Sequence, residues 1–294
     1  MSLSACPTHT TIAHVIDHTL LTWESDITPE ALAQRHTQYV NDAVAWQCAG
    51  VCVRPQWVAH CKTALDEALV KLPNAPRPFL ACVIAFPPTT QPYANELSAP
   101  TFGDVPLATS VAEIRQALSD GVTELDAVLP VALWLTDWAA LAPQWASLSL
   151  EGQLKALLQT QTAKHLGQWK AAAGKTPIKL IVETDLQPPE AIEALVGLTM
   201  VCDLATIKTS TGMLTAPSEA PQQPQGAVVE TIARMAKAIA AYLPEFENPI
   251  GIKASGGIRS AEQAQALLTA GATRLGTSRT QALIEGQALT TPGY

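Results

Sequence analysis

The chain has 294 residues, 48% of them hydrophobic, and a formal net charge of -8 at pH 7. That length suits a single large domain, and an α/β barrel of this size is ordinary; one domain over 1–294, with a short C-terminal tail from about 287, is the expected organisation. The acidic balance argues against nucleic acid or an anionic membrane as main partner, while a small anionic substrate needs only a local site.

Six cysteines, at 6, 48, 52, 61, 82 and 202, include no CxxC pair and no His/Cys cluster with structural-zinc spacing. Several lie in apolar runs, which fits buried free thiols in a reducing cytosol. Met1-Ser-Leu-Ser-Ala-Cys6 has no basic region followed by a long apolar stretch, so no signal peptide is expected. No run of about 18 apolar residues is present, so no membrane span is expected.

In chain order the sequence predicts a first strand over His14–Thr19 and a helix opened by Thr28-Pro29, with Thr28 as N-cap and Pro29 at the first helical position. Strands follow over Gly50–Arg54 and Phe79–Phe86, then a helix over Ser110–Leu118 and a strand over Thr123–Leu129. A helix over Leu150–Ala173 precedes a strand over Ile178–Glu183, a helix over Pro189–Val196 and a strand over Asp203–Lys208. A helix over Ala227–Tyr242 leads to a strand over Ile250–Lys253, a helix over Ser260–Ala270 and a last strand over Thr273–Gly276. Ser260-Ala-Glu-Gln263 resembles an N-capping box, and Gly271 is a candidate C-cap. The strands are apolar runs without clean alternation, as strands buried on both faces are. About eight strand–helix repeats, with no Gly-rich loop after the first strand, predict a (β/α)8 TIM barrel rather than an open doubly wound sheet. Pro-rich stretches at Pro87–Pro106 and Ala216–Gln225 read as long βα loops at the mouth of the barrel.

In such a barrel the chemistry belongs at the carboxyl ends of the strands. Lysines 179, 208 and 253 fall on the fifth, sixth and seventh predicted strands, with Asp17, Cys52 and Asp126 on others. A lysine in an apolar strand is disfavoured by desolvation of its charge. Two such amines, Lys208 and Lys253, suggest a Schiff base on one with the other depressing its pKa. Asp126 reads equally as a helix cap or an acid/base group, Asp17 as a partner that holds a lysine, and Glu183 as a lysine partner or an end cap. Cys52 reads as a small apolar filler and His18 as a packed or hydrogen-bonded residue. Gly256-Gly257 and Gly276-Thr-Ser278, each before a helix after strands seven and eight, are either tight turns or a phosphate site built from backbone N–H groups.

Seven segments in order carry a resemblance: Ile16-Asp-His-Thr-Leu-Leu21, Val51-Cys-Val-Arg-Pro55, Glu124-Leu-Asp-Ala-Val128, Ile178-Lys-Leu-Ile-Val-Glu-Thr184, Ile207-Lys-Thr-Ser-Thr-Gly212, Gly251-Ile-Lys-Ala-Ser-Gly-Gly-Ile-Arg259 and Arg274-Leu-Gly-Thr-Ser278. The chain resembles 2-deoxy-D-ribose-5-phosphate aldolases over nearly its whole length. The resemblance implies a class I aldolase that uses no metal and no cofactor and joins acetaldehyde to D-glyceraldehyde 3-phosphate reversibly, in cytoplasmic deoxyribonucleotide and carbohydrate catabolism. It implies Lys208 as the Schiff-base lysine, Lys253 as the group that lowers its pKa, Asp126 and Lys179 as a proton relay, and Asp17 in support. Tyr294 would be a tail residue that assists proton transfer. The implied substrate-binding residues are Thr19, Cys52, Thr211, Gly212, Gly256, Gly257, Arg259, Gly276, Ser278 and Arg279. The implied partners are small aldehydes and sugar phosphates, and the resemblance admits a homodimer.

Departures fall in the phosphate region. Met213 stands where some relatives carry a phosphate-contacting lysine, Arg279 follows Gly276-Thr-Ser278 where a small residue is usual, and Ala85-Phe-Pro-Pro-Thr-Thr90 replaces a Gly-Phe-Pro-x-Gly segment. An aldolase of the same mechanism with a different or unphosphorylated acceptor is therefore an alternative, and a non-catalytic sugar-phosphate-binding barrel is a third.

Overall fold

The computed structural model describes residues 12–21, 27–88, 91–92, 102–215 and 225–286. Among them, eight parallel strands close into a barrel in sequence order. These are β1 (Ile16–Leu20), β2 (Gly50–Val53), β3 (Phe79–Ile84), β4 (Glu124–Val128), β5 (Ile178–Ile181), β6 (Thr206–Lys208), β7 (Gly251–Ser255) and β8 (Arg274–Thr277). Around them lie α1 (Pro29–Ala45), α2 (Val58–Lys71), α3 (Leu107–Ser119), α4 (Val131–Trp145), α5 (Leu150–Leu158), α6 (Gln161–Ala173), α7 (Pro189–Val201), α8 (Val229–Tyr242), α9 (Ala261–Thr269) and α10 (Thr280–Glu285). The molecule is a (β/α)8 TIM barrel. Outside the ring, Gln91–Pro92 and Leu214–Thr215 pair as two short parallel strands.

All eight predicted strands are present, and several are shorter than expected for one reason. Ala85, Glu183 and Asp203 take left-handed backbone, at φ of 52°, 51° and 53°. A non-glycine residue there leaves the extended conformation, so β3 and β5 stop short of Phe86 and Glu183, and β6 starts after Asp203. At the first strand, Ala13–Val15 form a short 3-10 turn, so β1 begins at Ile16.

The helix predicted over Leu150–Ala173 is two helices. The Thr160 hydroxyl donates to Leu157 O (2.6 Å) at the end of α5 and accepts from Ala163 N (3.0 Å) at the start of α6. Thr28 caps α1 by accepting from Ala31 N, and Ser260 caps α9 by accepting from Gln263 N. The Gln263 side chain reaches the backbone N–H of Arg259 rather than that of Ser260, so the capping box is displaced by one residue. Helices α2 and α4 were not expected; both open without a side-chain cap.

Two separate apolar regions follow from the alternation of strand side chains. Outward residues such as Ile16, Val51, Leu80, Leu125, Leu180, Ile207, Ile252 and Leu275 pack with the helices in one large cluster. Inward positions hold two small clusters, Cys52 with Ala81 and Val83, and Val128 with Ile181, Phe102 and Met213. Other inward positions carry the charged Asp17, Glu124, Asp126, Lys179, Lys208, Lys253 and Arg274. Cysteines 48, 52, 61, 82 and 202 are free and buried. Among the described residues, no helix is long and apolar enough to cross a membrane.

Candidate active site

Charged side chains from six strands meet inside the barrel. Asp126 on β4 lies at their centre. Lys208 Nζ donates to Asp126 Oδ2 at 2.9 Å, Lys253 Nζ to the same oxygen at 2.7 Å, and Lys179 Nζ to Asp126 Oδ1 at 3.0 Å. Lys253 also donates to Asp17 Oδ2 on β1. Lys179 also donates to Glu124 Oε2 at 2.5 Å. Arg274 on β8 completes the network from below, with Nη1 2.7 Å from Asp17 Oδ1 and Nη2 3.6 Å from Glu124 Oε1. The strand register builds this arrangement. Asp126 pairs with Lys179 across β4–β5, and Lys208 pairs with Lys253 across β6–β7.

This corrects one expectation. Only Lys208 ends its strand; Asp17, Asp126, Lys179 and Lys253 lie within theirs. Their inward side chains fill a polar layer of the lumen, and the four-carbon lysine stems carry the amines to Asp126. Gly276 on β8 makes room for one of them, since a Cβ there would stand 2.9 Å from Lys253 Cε.

Electrostatics hold Asp17, Asp126, Lys179 and Lys253 charged despite their burial. Burial alone pushes the Asp17 carboxyl up, but the charges of Lys253, Lys179 and Arg274 outweigh it and bring it down to about 2. Asp126 is likewise raised by burial and, more strongly, lowered by Lys179, Lys208 and Lys253, which leaves it well below the carboxylate range. For Lys253, burial opposes the charge, and Asp126 and Asp17 reverse this and hold the ammonium protonated above the ordinary lysine range. Lys179 is raised by the same carboxylates against the same burial. Cys52 Sγ lies 3.9 Å from Asp126 Oδ2; burial and that carboxylate push its thiol up to about 11, so it stays neutral. Among the described residues, no group of three or more His, Cys, Asp or Glu side chains could hold a metal ion; the carboxylates face ammonium groups instead.

Above this layer the Thr209-Ser-Thr211 segment follows β6 and bonds to the end of β7. The Thr209 hydroxyl donates to Ser255 O (2.7 Å) and accepts from Ser255 N (2.9 Å), while Ser255 Oγ donates to Ser210 O (2.6 Å). Glu183 is neither a lysine partner nor an end cap; its Oε2 accepts from both the backbone N–H (3.1 Å) and hydroxyl (2.5 Å) of Thr211. With no cation among these bonds, burial raises the Glu183 carboxyl to about 7.

The implied substrate-binding residues fall into groups. Thr19 and Cys52 are register partners beside the charged layer. Thr211, Gly212, Gly256 and Gly257 gather at the β6 and β7 turns, where a Cβ on Gly256 would lie 3.2 Å from Gly226 Cα and 3.3 Å from Ser210 Cβ. The close approach at this glycine pair is thus to the backbone of a neighbouring loop. Arg259 is exposed at the start of α9. Ser278 and Arg279 line a cleft of about 400 Å³ with His18, Tyr39, Asp42 and Trp46. His18 is stacked on Tyr39 and bonded to Thr280 Oγ1 (2.8 Å), a packed histidine held neutral by burial. Met213 is buried with Phe102, Val128 and Ile181. Tyr294, the tail from 287, and most of both Pro-rich stretches lie outside the described residues. Glu124 stands on the same strand face as Asp126, two residues before it, and joins the site; Arg274 was not expected there.

A chain from Oceanobacillus iheyensis named deoxyribose-phosphate aldolase 1 is 30% identical over 276 residues, covering 94% of this chain and 96% of its own. The chain belongs to the deoxyribose-phosphate aldolase family. A Vibrio vulnificus member named deoxyribose-phosphate aldolase 1 is 31% identical over 96% of this chain and 99% of its own length. Among solved structures, the aldolase QR15 superposes with a TM-score of 0.65 at 23% identity, covering 94% of this chain and 95% of its own. The deoxyribose phosphate aldolase from Aeropyrum pernix, described as tetrameric, gives 0.61 at 23% identity over 95% and 92%. Both likenesses bear on the fold. No family model matches the chain.

Proposed function

We propose that this family member is a class I aldolase that cleaves 2-deoxy-D-ribose 5-phosphate to acetaldehyde and D-glyceraldehyde 3-phosphate, and forms it in reverse, as one cytoplasmic domain of sugar and deoxyribonucleotide catabolism. One observation carries the reading: two buried lysines on adjacent strands share a single carboxylate oxygen, Asp126 Oδ2. Binding alone has no use for two amines at one oxygen; imine chemistry has. Among the described residues, Lys253 makes a second carboxylate contact, to Asp17, whereas Lys208 has Asp126 alone. Lys208, with the fewer carboxylate contacts, is thus the amine placed to react, and the fixed charge of Lys253 opposes a second ammonium beside it.

In the cleavage direction the Lys208 amine adds to the C1 aldehyde of the open-chain sugar, and loss of water gives a protonated imine. That cation is the electron sink. A base removes the C3 hydroxyl proton, the C2–C3 bond breaks, glyceraldehyde 3-phosphate leaves and the electron pair forms an enamine. A proton is added at C2, and water hydrolyses the imine to acetaldehyde and free Lys208. Asp126, bonded to Lys179 and both other lysines, is suited to move these protons through a water, with Asp17 in support. Tyr294 is a candidate for the C2 proton transfer. Thr211, Gly212, Gly256 and Gly257 are the candidates for the phosphate, with Arg259, Ser278 and Arg279 nearer the rim.

A second reading, an unphosphorylated acceptor, has one observation in its favour: Met213 is buried in apolar surroundings and offers a phosphate no charge. Acetaldehyde release from 2-deoxyribose 5-phosphate and from 2-deoxyribose separates the two. A large kcat/KM advantage for the phosphate supports the first; equal values exclude it.

A further inference from the structure

Arg274 enters the charged layer from the amino-terminal foot of the barrel, the end opposite the expected substrate. Its Nη1 takes Asp17 Oδ1 and its Nη2 faces Glu124 Oε1, and its guanidinium carbon sits 5.3 Å from the centre of the Phe79 ring. Each of those carboxylates uses its other oxygen on a lysine: Asp17 Oδ2 on Lys253, Glu124 Oε2 on Lys179. Arg274 therefore touches no reacting group yet bonds to the partners of two.

A charge count gives this a consequence. Among the described residues the network holds three carboxylates, Asp17, Glu124 and Asp126, and four bases, Lys179, Lys208, Lys253 and Arg274. Facing them from the other strands are the neutral Cys52 thiol and the apolar Ala81 and Val83. A guanidinium does not deprotonate in a protein. Asp17 and Asp126 stay ionised, and Lys253 and Lys179 stay protonated, as their surroundings dictate. With Arg274 counted, a neutral layer leaves one base unprotonated. Without Arg274, three carboxylates would balance three ammonium groups.

We propose that Arg274 is a positioning residue for the aldol reaction, the fourth positive charge that keeps the Lys208 side chain in its amine form. The inference rests on Lys208 being the Schiff-base lysine. Arg274 acts through Asp17 and Glu124, and the foot of the barrel thereby sets the reactivity of an amine near its mouth. A purely structural arginine would leave the pH dependence of the reaction unchanged.

The test is the pH profile of kcat/KM for 2-deoxyribose 5-phosphate in Arg274→Met, Arg274→Lys and the unsubstituted enzyme, with acetaldehyde trapping by borohydride on Lys208 in parallel. Arg274→Met should move the acid limb of both profiles up by about one pH unit, a loss of about tenfold below the limb that is regained at high pH. Arg274→Lys should restore the profile. Glu124→Gln, which removes a negative charge instead, should move the limb down, and it tests the inference if Arg274→Met does not fold. An equal loss at every pH, or a shift in the same direction for Glu124→Gln, would overturn it. Absence of any adduct on Lys208 in the unsubstituted enzyme would instead remove the Schiff-base reading on which it depends.

Discussion

Lys208 and Lys253 are register partners on adjacent parallel strands, and both donate to one oxygen, Asp126 Oδ2. Removing that oxygen's charge leaves buried ammonium groups without their common partner. Asp126→Asn should lower stability by roughly 3–5 kcal/mol, the usual cost of breaking a buried ion pair from one side, and lower kcat by roughly a hundredfold or more as the relay is lost. Thermal unfolding and steady-state kinetics measure both. A folded, fully active Asp126→Asn would mean that the shared oxygen has no part in the chemistry.

Gly276 tests whether the position of Lys253 matters. A Cβ at this residue would meet Lys253 Cε at 2.9 Å and Ser255 Cβ at 3.1 Å. Gly276→Ala must push the lysine stem aside, and kcat should fall roughly tenfold to a hundredfold with a smaller change in KM. An unchanged kcat would show that the amine tolerates displacement.

Glu183 makes a pH-dependent contribution to stability. Its carboxyl titrates near 4.5 when unfolded and about 7 when folded, because burial disfavours the charge. A raised folded value means that this contribution is full below about 4.5 and is lost as pH rises through about 7. Glutamine keeps an oxygen to accept both bonds from Thr211 and never ionises. Glu183→Gln should therefore match the parent near pH 4 and exceed it at pH 8 by on the order of 3 kcal/mol. Equal unfolding curves at pH 8 would contradict the origin assigned to the shift.

The barrel and its lysines were legible because both leave local marks: apolar runs that end in turn residues, and charge inside such runs. Helices α2 and α4 were not; α4 buries Trp134, Trp138 and Trp145 and carries Asp137 as its one charged residue, so it displays no polar stripe. The strand ends were misread where Ala85, Glu183 and Asp203 turn left-handed, a choice that non-glycine residues do not advertise. Arg274 was not legible, because it opens its strand and so lies away from the carboxyl ends where the chemistry of a barrel is expected. Only the closure of β8 against β1 brings it to Asp17, 257 positions away in the chain.

The most direct measurement of the central claim is reduction with borohydride in the presence of acetaldehyde, followed by peptide mass mapping. The account predicts one added ethyl group on Lys208, absent in Lys208→Leu and still formed in a strong chelator. An ethyl group found on Lys253 or Lys179 instead, or full-yield trapping by Lys208→Leu, would contradict it.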